Sequence, residues 1–193
     1  MKPIKKFFLT IFLFFFVINS NANNSPESVA KKFYDWRFKA HFTGVPEAAT
    51  LKTARQFLSP ELICLLDRAR IYRDRFTKKF PTDKPPFIEG DMFTSVFEGA
   101  NRYTQKSVKL IGDNAIVQLR FYHDQGMKID GKGWQDSVLL RQKNNQWRIA
   151  DIKYDGKFDF GNSGSLRQNL LEELAKDNLE LDWHSKAQLK LCH

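Results

Sequence analysis

From Ser25 to Lys79 the apolar residues recur at helical spacing, and from Asn101 to Tyr154 they alternate as in strands. Ser25-Pro26-Glu27 is a helix start, with Ser as N-cap, Pro at the first helical position and an acid in the first turn. Val29, Phe33, Trp36 and Ala40 then form a stripe, widened by Tyr34 and Phe38, and Gly44-Val45-Pro46 ends it. A short helix or turn carries Leu51, Ala54, Phe57 and Leu58. Ser59-Pro60-Glu61 repeats the start signal. Leu62, Leu65, Leu66, Ala69, Tyr72 and Phe76 place one apolar face on a helix running to about Lys79, where Phe80-Pro81 stops it.

The second half reads as hairpins. Tyr103–Ile111 is one strand, Gly112-Asp113-Asn114 a turn, and Ala115, Val117, Leu119 and Phe121 alternate on the next strand. Gly126, Gly131 and Gly133 mark a looser connection. Trp134–Gln142 and Trp147–Tyr154 follow as two more strands around an Asn144-Asn145 turn. A sheet of consecutive hairpins must bury one face, and the apolar partners available are the preceding helices. Ser165 opens a last helix striped by Leu166, Leu170, Leu171 and Leu174, with Gln168 as capping-box partner. The fold class is α+β: N-terminal helices on a curved antiparallel four-strand meander, with a C-terminal helix. The core spans about 29–175, and 176–193 is a tail, docked or mobile. Residues 23–193 form one domain.

The first 22 residues lie outside this pattern. Lys2, Lys5 and Lys6 precede an apolar run from Phe7 to Ile18, and Ser20-Asn21-Ala22 supplies small residues for cleavage after Ala22. The run is shorter than the ~20 residues of a spanning helix. It is read as a signal peptide, with the mature chain periplasmic or secreted by a bacterium and carrying no transmembrane anchor. With no Cys near the cleavage point, a lipid anchor on a mature N-terminal Cys is not expected.

Export changes how charge and cysteines are read. The net charge of +9 falls to +6 once three signal lysines leave. Arg68, Arg70, Arg73, Arg75, Lys78 and Lys79 cluster on one helix. Outside the inner membrane nucleic acid is not an expected partner, so the cluster reads as a solvated face, aided by pairs such as Asp74 with Lys78, or as an anion surface. Cys64 and Cys192 are the two cysteines, and an oxidising compartment permits a bridge between them. The alternative is that Cys64 is a buried small hydrophobe among leucines.

Little in the chain signals chemistry. His41, His123, His184 and His193 share no metal-ligand spacing, and no Gly-x-Ser-x-Gly elbow or phosphate loop occurs. Neither a metal nor a cofactor is expected. The Pro- and Gly-punctuated segment 81–99 reads as an ordered loop with one helical turn at Met92–Phe97. Its Phe87, Glu89, Asp91 and Phe93, with Trp134, are candidate ligand-binding residues. Asp136, Tyr122 and His123 are candidate catalytic residues, because sequential pairing brings a carboxylate, a phenol and an imidazole toward one mouth of the sheet.

The closing pattern, Trp134-x-Asp136 into Val138-Leu139-Leu140, an Asn-Asn turn, then Trp147-Arg148-Ile149-Ala150-Asp151-Ile152, resembles the nuclear transport factor two-like superfamily. Ser59-Pro60-Glu61-Leu62 leading a long helix is similar to exported bacterial members grouped as domain-of-unknown-function family 3828. The resemblance covers about Val29 to Asp159 and implies a cone-like cavity closed by the last strand. Ketosteroid isomerases of that superfamily use a cavity acid with a tyrosine partner, parts open to Asp136 and Tyr122. No motif fixes their register, so no catalytic role is carried over. The favoured reading is an exported non-enzymatic binding module, holding a small molecule or a periplasmic protein in its cavity or on its sheet face. A ketosteroid-isomerase-like cavity enzyme is the alternative, and a homodimer is possible in either case.

Overall fold

The computed structural model describes residues 24–123 and 133–192. The expected export signal and Gly126 and Gly131 of the second connection lie outside the described residues. Helix α1 runs Pro26–Ala40, α2 Ala48–Ala54 and α3 Pro60–Lys79. Strands β1 (Arg102–Ile111), β2 (Asn114–Tyr122), β3 (Trp134–Lys143) and β4 (Gln146–Lys153) follow, then α4 (Leu166–Leu174) and α5 (Ser185–Leu189). This is the α+β order expected of the alternating pattern.

All three expected serine N-caps form, Ser165 accepting from Gln168 N–H at 3.2 Å. The Ser25 hydroxyl accepts from Ser28 N–H and the Ser59 hydroxyl from Leu62 N–H, each at 3.2 Å. The buried side of α1 is rotated from the expected stripe. It is Pro26, Ala30, Phe33 and Arg37, flanked by Val29 and Tyr34, while Trp36 is half-buried and Ala40 exposed. Tyr34 sets that rotation, because its ring meets Phe121 at 4.8 Å and its hydroxyl donates to the Phe93 carbonyl at 2.8 Å. A charged residue therefore ends the buried side of α1.

The sheet is antiparallel in the order β1-β2-β3-β4. Its first and last hairpins turn on two residues, and Asn144 and Asn145 both adopt positive φ (51° and 60°), as a tight hairpin turn between twisted strands requires. Leu119 pairs with Asp136, Phe121 with Trp134 and Val117 with Val138, so these residues share the buried face. Where the resemblance implies an open cone, that face is filled by Phe33, Tyr34, Phe121, Leu119 and Ile149, all essentially inaccessible. The β4 edge is closed by residues 57–59, since Ser59 N–H donates to the Ile149 carbonyl and Ile149 N–H to the Phe57 carbonyl, both at 2.8 Å. Among the described residues nothing pairs with the outer edge of β1, and most of β1 is exposed.

The α3 arginines form neither a solvated face nor an anion surface. Arg70 pairs with Asp67 (2.8 Å) and Asp74 (3.0 Å). Arg73 is buried against Glu47, Asp74 and the Val45 carbonyl. Asp74 thus serves two arginines rather than Lys78. Arg68 donates to Gln188 and Arg75 to the carbonyls of Leu181 and Asp182, which straps the tail to α3. Trp183 is fully buried edge-on against Tyr72, with its indole N–H on the Leu174 carbonyl. A disulfide between Cys64 and Cys192 completes the attachment.

The disulfide closes a loop across a sequence separation of 128. In the chain-entropy account a loop of that length contributes about 5 kcal/mol. Replacing both cysteines with Ser is therefore expected to lower Tm by about 10–20 °C, read by circular dichroism with the oxidised and reduced native protein run alongside.

Candidate functional site

Two buried carboxylates organise the lower half of the molecule, and the sequence makes both of them candidates. Asp136 lies on the buried face of β3, fully inaccessible. It accepts from Ser95 N–H (2.8 Å), the Ser95 hydroxyl, the Trp134 indole N–H (3.1 Å), Asp155 N–H (3.0 Å) and Gly156 N–H (3.4 Å). Burial pushes its carboxyl pKa up, against those donors, which favour the ionised form. With its lone pairs engaged by the protein, Asp136 has no face left for a substrate. It is a clasp holding β3, the 91–97 loop and the residues after β4 together.

The other two catalytic candidates are not brought to it. Tyr122 follows Phe121 on β2 and points to the opposite face, where its ring lies 4.0 Å from the Arg102 guanidinium. His123 Nδ1 sits 3.0 Å from the Gly99 carbonyl and braces the loop. The acid, phenol and imidazole do not share a site.

Asp91 behaves differently. It is buried, accepts from Phe93 N–H at 2.7 Å, and faces the Arg37 Nη2 atom at 3.5 Å, longer than a good hydrogen bond. Burial pushes its carboxyl up, opposed mainly by the charge of Arg37. The guanidinium lies 4.1 Å from the centre of the Phe42 ring and 5.8 Å from that of Phe93. Its Nε is buried and has no partner among the described residues. This pair forms the floor of a cleft of about 580 Å³, walled by Phe38, His41, Phe42, Phe97 and the backbone of Gly90 and Gly99. The cleft combines a buried cation short of acceptors, the buried carboxylate of Asp91, the exposed one of Glu98, and aromatic walls.

The loop that closes the cleft is held from several sides. Asn162 donates to the carbonyls of Asp91 (2.6 Å) and Thr94 (2.7 Å), and the Tyr154 hydroxyl to that of Met92 (2.6 Å). These bonds keep 92–97 in turns rather than the expected helical turn. Gly44 N–H donates to the Gly90 carbonyl at 2.7 Å, and a Cβ at Gly44 would stand 2.3 Å from the Phe87 carbonyl oxygen, so only glycine fits there.

Of the five ligand candidates, Asp91 lines the cleft. Phe93 and Trp134 are core residues, Phe93 packing edge-on to Phe33 and Trp134 stacking on Phe121. Glu89 is exposed and pairs with Lys84, and Phe87 lies half-buried on the far side of the loop. Sequence reading passed over Arg37, Phe38 and Phe42. The available signal was the position of Arg37, four residues after Phe33 and seven after Ala30, on the side of α1 that must be buried. Among the described residues no group of three metal-ligating side chains occurs, and no helix is long and apolar enough to cross a membrane.

No family model matches the chain, and no solved structure gives a significant match. The chain is 28% identical over 149 residues to the uncharacterized lipoprotein YbjP of Escherichia coli (strain K12), across 75% of this chain and 75% of that protein.

Asp136→Asn places an amide N–H₂ among donors and breaks a buried network, at a cost of about 3 kcal/mol or more. A Tm lower by roughly 6–12 °C is expected, whereas a carboxylate acting only on substrate would leave Tm in place. For Asp91 the folded pKa lies above the unfolded one. Its contribution is thus fully present below the unfolded value of about 4 and is lost as pH rises through the folded value. Urea melts at pH 4, 5, 6 and 7 are expected to show wild type losing ground to Asp91→Asn as pH rises.

Proposed function

We propose that the chain is an exported cell-envelope binding module that holds a small amphipathic ligand in the cleft between α1 and the 81–101 loop. The observation that carries this reading is the buried Arg37 guanidinium, loosely paired with Asp91 and short of hydrogen-bond acceptors at the floor of an aromatic cleft. A buried donor without an acceptor is costly, and a ligand carboxylate or carbonyl that supplies one is favoured accordingly. The apolar remainder of such a ligand lies against Phe38, Phe42 and Phe97.

Export is supported by the signal-like first 22 residues and by the disulfide, a bond characteristic of oxidising compartments. The lipoprotein relative supports an envelope location as well. Both cysteines of this sequence are used in the disulfide, so neither offers a free thiol to a lipid. We take the order of elements, helices followed by a four-strand meander, as that of the nuclear transport factor two-like superfamily, with its cone filled and the binding role moved to the cleft beside it.

Decanoate is a suitable probe, with one carboxylate and one alkyl chain. Isothermal titration is expected to give one site per chain, weakened about 10- to 100-fold in Arg37→Met. Phe97→Ala, at a partly exposed wall position, is expected to weaken binding without moving Tm. Unchanged affinity in both folded variants would sink the proposal.

A further inference from the structure

At the far end of the sheet from the cleft, the β1–β2 and β3–β4 turns lie side by side, because Asn114 pairs with Arg141 and Arg141 with Arg148. Cross-strand neighbours of like charge repel, so the Arg141–Arg148 pair is unfavourable as it stands. Arg148 donates to neutral acceptors, the Trp147 carbonyl and the Gln146 side chain. The side chains of Arg141, Lys143 and Arg55 make no hydrogen bond or ion pair among the described residues. These four cations line a groove of about 450 Å³ that holds one carboxylate, Glu61. That carboxyl is held low chiefly by its own backbone N–H, with help from Ser59, Lys143 and Arg141, so it stays ionised as part of the α3 start. The groove keeps a strong positive excess.

Three further observations give that charge a direction. Leu110 and Ile111 are 63% and 48% exposed at the tip of the β1–β2 hairpin, and Ile111 stands in the same cross-strand row as Arg141. A second hollow of about 730 Å³ shares Glu61 and Arg141 with the groove and continues over the aliphatic side chains of Ile111, Ile116 and Leu139. Asn24, the first described residue, donates to the Asn145 carbonyl, so the described chain begins at this same end. Cations beside an exposed aliphatic tip match an interface with anionic headgroups above and acyl chains beneath.

We infer that this end of the sheet docks on an anionic phospholipid surface, with phosphates in the Arg55–Arg141–Lys143–Arg148 groove and Leu110 and Ile111 entering the acyl boundary. The ten-residue β1 spans about 33 Å, so the cleft at its other end faces away from the membrane. The inference does not depend on what the cleft binds.

The test is co-sedimentation of the exported protein with vesicles of phosphatidylcholine alone, or with about 30% phosphatidylglycerol. Binding to the anionic vesicles only is expected, falling steeply between about 0.1 and 0.5 M salt. Neutralising two exposed cations in Arg141→Gln/Lys143→Gln is expected to lower partitioning roughly 10- to 30-fold. Leu110→Ser/Ile111→Ser is expected to lower it too, and unchanged melting curves would show both double variants folded. Equal binding to phosphatidylcholine, no binding to either vesicle, or full binding by the folded charge variant overturns the inference. Displacement from vesicles by millimolar glycerol phosphate also overturns it, by showing a site for soluble phosphate esters.

Discussion

The Asp136 carboxylate is the interaction on which the lower half of the molecule depends. It gathers donors from three segments far apart in sequence: Trp134 on its own strand, Ser95 in the loop before the sheet, and Asp155 and Gly156 after it. A buried carboxylate is costly unless it is fully hydrogen-bonded, and backbone N–H groups in a loop are costly unless they find acceptors. One group answers both demands. The loop held in this way presents Asp91 to Arg37, so the shape of the cleft follows from the clasp beside it.

Much of the architecture was legible because hydrophobic period, caps and turns agreed. The two Ser-Pro-Glu starts, the Asn-Asn turn and the alternation of Ala115 to Phe121 each predicted what forms. Strand parity could also have corrected the catalytic grouping. Asp136 pairs with Leu119, which shares its face with Phe121 and therefore not with Tyr122. The cleft was harder to read. It joins the end of α1 to a loop some fifty residues later, and no local pattern encodes that meeting. The role of Arg37 depends on the rotation of α1, which the remote contacts of Tyr34 with Phe121 and Phe93 decide. Charge was misleading for a related reason: the arginines of the conspicuous cluster on α3 are engaged within the fold, while four other cations come together only in the folded sheet.

The molecule is thereby polarised along its strands. One end carries the half-buried cleft, with the Arg37 guanidinium loosely paired to Asp91 and a second carboxylate, Glu98, at its rim. The other carries a groove with cations in excess beside an aliphatic hairpin tip. Asn24, the first described residue, lies at the second end, hydrogen-bonded to the Asn145 carbonyl. The two ends differ in physical kind, one a half-enclosed aromatic cleft and the other an open cationic groove beside exposed aliphatic side chains.

The strap between the tail and α3 also has a temporal side. Arg68, Arg75, Trp183 and the Cys64–Cys192 bond fasten the last residues of the chain to a helix formed from its first half. Before the end of the chain emerges from the ribosome, none of these contacts can form. Where glutathione keeps thiols reduced, the covalent one cannot form at all. The native state thus reaches its full depth only after synthesis is complete and the chain has entered an oxidising space. A protein built in this way stays easier to unfold, and so easier to thread through a translocation channel, for as long as it remains on the side where it was made.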